Sequence, residues 1–251
     1  MRRYALRDDQ FARIEHLLPG RPGTAGRNSA GGNRLFVEAV IWKFRAGAPW
    51  RDIPERFGDG KNVHRRFSRW AQKGVWERLF KALIDDPDNE YAMIDATIVR
   101  AHQHSAGANK KGGDEAIGRS RGGLTTKIHA IVDALGNPLV VSLTGGQVHD
   151  ITQAEALAEQ VEAKAILADK GYDADTFIQS LELRSIEAVI PPKSNRKTKR
   201  ACDFALYRER NLVERFFNVI KHFRAIATRY EKTARNFLAG LHLVCAIAWL
   251  K

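Results

Sequence analysis

The sequence has few cysteines and no long hydrophobic stretch. Cys202 and Cys245 are its two cysteines, and because they form no closely spaced pair, neither a disulfide framework nor a structural zinc site is predicted. The longest apolar stretch, residues 237–250, is shorter than the roughly 20 residues that a membrane span needs. The first residues run directly into acidic ones, without the apolar stretch of a signal peptide. We therefore expect a protein of the reducing cytoplasm, with no membrane partner.

Positive charge is what the sequence has in excess. Its 251 residues include 41 Lys and Arg against 29 Asp and Glu, a formal net charge of +12. Residues 34–81 carry 12 basic and 5 acidic side chains, residues 193–235 carry 13 and 4, and residues 128–183 between them are mainly acidic. Two basic segments around an acidic one favour nucleic acid held over a metal-binding site. The alternative is that the basic segments are ordinary solvated faces.

The first 88 residues have a helical periodicity. Helices are predicted at residues 4–18, 34–45, 50–57, 61–73 and 75–84. The short helices joined by glycine-containing turns outline a helix-turn-helix unit. In the helix at 61–73, Val63, Phe67 and Trp70 share one side. Another side carries three basic residues at intervals of four: Arg65, Arg69 and Lys73. Such a basic face suits DNA phosphates and the major groove, and the alternative is an ordinary helical bundle with a charged surface.

After a polar segment at 85–90, the periodicity becomes strand-like. Strands are predicted at 91–101, 125–134, 138–143, 165–168 and 187–191, and helices at 151–161, 174–183, 206–224 and 237–250. This order indicates a mixed sheet covered by helices, as in an RNase H-like domain. We predict an α/β fold in which a small all-α helix-turn-helix domain (1–88) precedes an RNase H-like domain (89–251).

Three acidic residues stand on separate elements of the second domain. Asp95 lies inside the first apolar strand, Asp169 ends the strand at 165–168, and Glu214 lies on the helix at 206–224. Carboxylates from three elements can hold two divalent cations roughly 3.5–4 Å apart for phosphodiester chemistry. Oxygen ligands select Mg²⁺ or Mn²⁺. Each acid alone also has an ordinary explanation: a satisfied buried acid, a turn residue, or a helix ion pair with Arg210.

The helix at 206–224 has the most specific pattern. Tyr207, Arg210, Glu214 and Lys221 are spaced by three, four and seven residues, which places them on one stripe of an α-helix. Arg210 and Lys221 would then grip phosphates on either side of the metals. A solvent-facing ion pair between Arg210 and Glu214 is the alternative, and it leaves the tyrosine and the lysine unexplained.

With these residues, the sequence resembles the DDE transposases of bacterial insertion sequences, specifically the group close to the insertion sequence five family. Tyr207-x2-Arg210-x3-Glu214-x6-Lys221 matches the Y-R-E-K signature of that family, and Glu214 resembles its third catalytic acid. Asp95 in Ile-Asp-Ala-Thr and Asp169 in Leu-Ala-Asp-Lys-Gly-Tyr resemble the first and second. The N-terminal stretch is similar to the small helical DNA-binding domain of these proteins.

The resemblance implies an enzyme of the bacterial cytoplasm, associated with the nucleoid. It would bind terminal inverted repeats, cleave the element ends with Mg²⁺ or Mn²⁺, and join the 3′-hydroxyls to double-stranded target DNA. A homodimer or a higher assembly on DNA is expected, because two ends must be brought together. Two alternatives remain open: a catalytically inactive repressor that binds the ends, and an RNase H-like nuclease without strand transfer.

Further basic segments are candidate DNA contacts. A glycine-rich loop after the Asp95 strand is expected to clamp DNA through Lys110, Lys111, Arg119, Arg121 and Lys127, although a plain disordered loop is nearly as consistent with it. A second basic run is a candidate path for flanking or target DNA: Lys193, Arg196, Lys197, Lys199 and Arg200. Asp150 is expected to cap the following helix. The alternative is that His149 and Asp150 contact a metal or transfer a proton.

Overall fold

The computed structural model describes residues 5–20, 32–106 and 115–250, which divide into two compact units. The first unit consists of the described parts of Met1–Asp85, His102–Glu115 and Ile220–Lys251, and the second of Asp86–Ala101 and Ala116–Val219. The second unit begins close to the predicted boundary between residues 88 and 89. Residues 102–106, 115 and 220–250, which we expected in the second domain, group instead with the first unit. The functional division into two domains stays a prediction.

The helices and strands follow in chain order. The helices are α1 (Asp8–Glu15), α2 (Gly32–Ala46), α3 (Gly60–Gln72), α4 (Val75–Leu83), α5 (Ile151–Ala158), α6 (Asp175–Leu183), α7 (Phe204–Tyr207), α8 (Asn211–Lys221), α9 (Arg224–Ala227) and α10 (Ala234–Trp249). The strands are β1 (Tyr91–Ala101), β2 (Gly118–Ser120), β3 (Gly123–Val132), β4 (Pro138–Gly145), β5 (Ala165–Leu167), β6 (Glu187–Val189) and β7 (Thr228–Arg229). Short 3₁₀ turns lie between them.

The first unit packs α10 against helices of the N-terminal segment. An aromatic cluster fills its interior, with the ring of Trp70 centred 4.9 Å from that of Phe36 and 5.2 Å from that of Trp76. Gly240 of α10 lies so close to Phe44 of α2 that a Cβ atom would stand 2.1 Å from the phenyl ring. Because α10 is apolar on most of its surface, its burial here explains why the C-terminal segment joins the first unit. Within the described residues, no helix combines the length and the hydrophobicity of a bilayer-spanning segment.

The second unit is built on a mixed sheet, as predicted. Strands β2, β3, β1, β5 and β6 are neighbours in that order, and β4 pairs with β3. The pairs of β3 with β1, β2 and β4 are antiparallel, whereas β1, β5 and β6 run parallel to one another. Parallel neighbours require crossover connections, which α5 and α6 supply. This order and direction of strands define an RNase H-like sheet.

Two predicted helices are wrong in detail. Residues 50–57 form two 3₁₀ turns, Trp50–Asp52 and Glu55–Phe57, because Ile53 precedes a proline and adopts an extended conformation (φ −60°, ψ 129°). The helix predicted at 206–224 is α7, a 3₁₀ turn at Arg208–Arg210, and α8. It ends before residue 224, since the backbone of Phe223 is extended and its ring is buried against Arg45, whose guanidinium carbon lies 3.9 Å from the ring centre.

Candidate active site

Asp95 and Asp169 lie at the same edge of the sheet. Met93 of β1 pairs with Leu167 of β5 in parallel register. Asp95 lies two residues after Met93, and Asp169 lies two residues after Leu167. Because side chains alternate along a strand, this equal offset directs both carboxylates to one side. The Ala96 N–H donates to Asp95 Oδ1 over 2.8 Å. At the start of a 3₁₀ turn, the backbone N–H two residues after Asp169 donates to its Oδ1, also over 2.8 Å.

Arg210 joins Asp95 to Glu214. Its Nη2 donates to Asp95 Oδ2 over 2.6 Å, and its Nη1 donates to Glu214 Oε1 over 3.0 Å. The structure therefore brings Asp95, Arg210 and Glu214 together. The ion pair of Arg210 with Glu214 was the ordinary alternative in the sequence, but the additional bond to Asp95 places this pair at the sheet edge.

The environment of Asp95 favours its neutral form. Burial raises the pKa of this carboxyl to about 6, although the positive charge of Arg210 opposes the shift. The negative charges of Asp169 and Asp150 raise it further. Burial is thus the main cause of the raised pKa, and the nearby carboxylates add to it.

Tyr207 and Lys221 occupy the two ends of the predicted stripe. Tyr207 ends α7 and is half-buried, and burial raises the pKa of its phenol, while the positive charge of Arg210 opposes the rise. Lys221 is the last residue of α8 and belongs to the first unit. The 3₁₀ turn between α7 and α8 interrupts the regular 3.6-residue periodicity on which the stripe was predicted.

Tyr172 is a residue of this site that the sequence pattern did not single out. Its side chain is buried, and its hydroxyl has no hydrogen-bond partner among the described residues. Burial raises the pKa of the phenol, and the charges of Asp150, Asp95 and Asp169 raise it further. This hydroxyl is thus an unsatisfied polar group near the aspartates. The signal available in the sequence was its position three residues after Asp169.

The three acids have the donor chemistry of a hard divalent cation but not its geometry. Carboxylate oxygens are the preferred ligands of Mg²⁺ and Mn²⁺. Over the ranges that the structure describes, no three His, Cys, Asp or Glu side chains are arranged to hold a metal ion. The guanidinium of Arg210 instead supplies positive charge to Asp95 and Glu214.

Lys127 and Asp150 do not have the positions predicted for them. Lys127 was expected in a flexible loop, but it lies on β3, where its Nζ donates to the Val148 carbonyl over 2.6 Å and lies 2.8 Å from Asp150 Oδ1. Asp150 makes no capping bond among the described residues, because its helical backbone (φ −61°, ψ −37°) leaves its carboxylate to Lys127. Buried His129 lies beside this pair, its Nδ1 3.9 Å from the same carboxylate oxygen, and burial lowers its pKa to about 4.

The other candidate DNA contacts differ in whether the structure describes them and in whether they form ion pairs. Lys110 and Lys111 lie outside the described residues. Arg119 and Arg121 are exposed in the hairpin of β2 and β3. In the basic run at 193–200, the two arginines form ion pairs with acids of the same unit: Arg196 with Asp173 and Asp175, and Arg200 with the same two. Part of the positive charge of this run is therefore neutralised internally.

Helix α3 presents the basic face that its sequence predicted. Val63, Phe67 and Trp70 are buried. The three basic residues of the opposite face are exposed: Arg65, Arg69 and Lys73. An open groove of about 620 Å³ follows this face, lined by Lys61, His64, Arg65, Ser68, Arg69, Gln72 and Arg235. The first unit thus has a basic groove suited to a phosphate backbone.

An RNase H-like sheet with two aspartates at one edge and a glutamate on a following helix defines the DDE class of DNA-processing enzymes. The chain belongs to the family of DDE transposases. Residues 87–249 match the family model described as "Transposase DDE domain", and residues 6–80 match one described as "Putative transposase of IS4/5 family".

Several known proteins are similar to this chain. The chain is similar to the "Putative transposase for insertion sequence element IS6501" of Brucella ovis, with 39% identity over 131 residues that cover 51% of this chain and 100% of that protein. It is also 51% identical over 110 residues to protein y4sN of Sinorhizobium fredii, covering 43% of this chain and 86% of that one. A solved piggyBac transposase synaptic complex with hairpin DNA has a TM-score of 0.43 and 14% identity, over 75% of this chain and 47% of that one.

Proposed function

We propose that the protein transposes an insertion sequence: it binds the terminal inverted repeats, cleaves the element ends, and joins the 3′-hydroxyls to double-stranded target DNA. The observation that carries this proposal is the meeting of Asp95 and Asp169 at one sheet edge, with Arg210 linking Asp95 to Glu214. Membership of the DDE transposase family supports the proposal that these acids perform the chemistry.

The three acids would hold the divalent metal of the family, as Mg²⁺ or Mn²⁺ and in two positions. When bound, the metal would activate the attacking oxygen and stabilise the leaving oxygen of the phosphodiester. Asp95, half-buried and fixed by the Ala96 N–H, would orient the reacting group, and Asp169 would do so from the neighbouring strand. Arg210, Tyr207 and Lys221 would position phosphates through their hydrogen-bond donors.

DNA ends would be recognised by the first unit. The basic face of α3 can enter the major groove with Arg65 and Arg69 toward bases or phosphates, and Lys73 toward the backbone. Exposed Arg119 and Arg121 of the β2–β3 hairpin are further phosphate contacts. Lys127 is less suited to this role because Val148 and Asp150 already bind its ammonium group. Because transposition joins two ends, the active form would be a homodimer or a higher assembly on DNA.

The test is an assay with a labelled duplex that carries the terminal inverted repeat, a target plasmid and Mg²⁺ or Mn²⁺. Strand-transfer products are the expected result. Nicking without transfer would instead support an RNase H-like nuclease, and binding without chemistry would support a repressor. Glu214→Gln and Asp95→Asn should abolish cleavage, whereas Glu209→Gln, an exposed acid in the preceding 3₁₀ turn, should not. Cleavage that survives Asp95→Asn would contradict the assignment.

A further inference from the structure

The guanidinium of Arg210 binds one oxygen of each of two carboxylates that would hold a metal. It binds Asp95 Oδ2 through Nη2 over 2.6 Å and Glu214 Oε1 through Nη1 over 3.0 Å. Only 15% of the Arg210 side chain and 15% of the Asp95 side chain are exposed, so the pair is held away from bulk water. Charge-assisted bonds of this length are among the stronger hydrogen bonds in proteins. Arg210 therefore offsets one of the two negative charges of Asp95 and Glu214.

Arg210 is nevertheless incompletely satisfied in this position. A guanidinium has five N–H donors, and the Nε–H of Arg210 is buried with no acceptor in the part of the chain that the structure describes. A buried donor without an acceptor has lost its water without compensation. A guanidinium that swings away would regain a partner for this donor, from water or from another acceptor. The Arg210 side chain can thus leave its contacts with Asp95 and Glu214.

We propose that Arg210 is a built-in competitor of the metal, which holds Asp95 and Glu214 in the metal-free protein and must release both before a divalent cation binds. This inference rests on the proposed function, since it assumes that these acids are metal ligands. It accounts for the absence, among the described residues, of three acidic side chains arranged around a cation. Arg210 would be a positioning residue that controls when the carboxylates are available.

The experiment measures Mn²⁺ binding to the full chain without DNA, from the free Mn²⁺ signal in electron paramagnetic resonance. Arg210→Gln should bind Mn²⁺ at least about tenfold more tightly than the wild type, which corresponds to about 1.4 kcal/mol. The matched control is Arg208→Gln, because Arg208 is an exposed arginine of the same 3₁₀ turn. Its affinity should equal that of the wild type. An affinity of Arg210→Gln no higher than that of the wild type would overturn the proposal.

Arg210→Lys separates competition from a general effect of charge. Lysine keeps the positive charge but cannot bridge two carboxylates through a planar fork. If the bridge is what excludes the metal, Arg210→Lys should also bind Mn²⁺ more tightly than the wild type, with a smaller gain than Arg210→Gln. An unchanged affinity in the lysine variant would mean that charge alone acts, and the competition would be refuted. Circular dichroism spectra matching the wild type would establish that each variant is folded.

The double variant Arg210→Gln with Asp95→Asn distinguishes this inference from the proposed function. It should lose the affinity gained by Arg210→Gln, because a metal ligand is missing. If it binds Mn²⁺ as tightly as Arg210→Gln, the ion binds elsewhere and both proposals fail. If Asp95→Asn alone weakens Mn²⁺ binding but Arg210→Gln does not strengthen it, the metal site stands and only the competition falls.

Discussion

A buried ion pair ties the C-terminal segment to the N-terminal helices of the first unit. Glu231 accepts hydrogen bonds from Lys43 Nζ and, over 3.1 Å, from Trp50 Nε1. The side chains of Lys43 and Glu231 are only 3% and 6% exposed. The ammonium of Lys43 also lies 4.4 Å from the ring centre of Phe44. Replacing Glu231 with Gln would leave this ammonium in the interior without a counter-charge.

We expect Glu231→Gln to lower the free energy of unfolding by about 3 kcal/mol, the lower end of the range for breaking a buried pair, because the Gln carbonyl still accepts hydrogen bonds. For a chain of this size the melting temperature should fall by about 6–12 °C. Urea denaturation followed by tryptophan fluorescence measures the change. Adding Lys43→Met should restore part of the stability, since the unpaired charge is then gone.

The matched control is the exposed pair of Glu77 and Lys81, whose Oε1 and Nζ lie 2.8 Å apart. Glu77→Gln should change the free energy of unfolding by less than about 1 kcal/mol, as is usual for surface pairs. If Glu231→Gln were as mild as Glu77→Gln, the Lys43–Glu231 pair would not support the first unit. A double variant less stable than Glu231→Gln would also refute the reasoning.

Two further predictions concern the first unit. His242 of α10 is buried against Phe80, and burial lowers its pKa to about 4. Because the unfolded chain takes up this proton below about pH 6.5 and the folded chain does not, the free energy of unfolding should fall by up to about 3 kcal/mol as the pH drops toward 4. His242→Leu should lack this component in denaturation curves at pH 7 and pH 5, and parallel losses in both proteins would contradict it. On α3, Arg69→Gln should weaken binding of the inverted-repeat duplex and reduce the salt dependence by about one phosphate contact. Lys81→Gln should leave both unchanged, and an effect equal to that of Arg69→Gln would argue against α3 as the DNA-binding face.

Local patterns allowed most of the elements to be predicted from the sequence. The bounds of β1 are as predicted, because a mainly apolar and β-branched run, interrupted by Asp95 and Arg100, ends in polar residues on both sides. The two faces of α3 follow from spacings of three and four residues, which place Phe67 on the buried face and Arg69 on the exposed basic face. Asp95 and Asp169 could be proposed as neighbours, since Asp95 lies inside one apolar strand and Asp169 ends another strand of the predicted mixed sheet.

Features set by contacts between distant residues could not be predicted. The bond of Arg210 to Asp95 joins residues 115 positions apart, and only the i,i+4 pair with Glu214 was visible in the sequence. Asp150 has the residue type of a helix cap, but Lys127 on a neighbouring strand attracts its carboxylate instead. The grouping of α10 with the first unit depends on its apolar surface meeting that of α4, which the order of the chain does not reveal.

Asp95, Asp169 and Glu214 are proposed together to hold the metal that acts on DNA. The most direct test is anomalous scattering from Mn²⁺ in crystals of the full chain bound to its inverted-repeat duplex. We predict Mn²⁺ within about 2.1 Å of carboxylate oxygens of these three residues, the distance typical of Mg²⁺-like sites. Manganese bound at other residues, with these three acids free of metal in the DNA complex, would contradict the account.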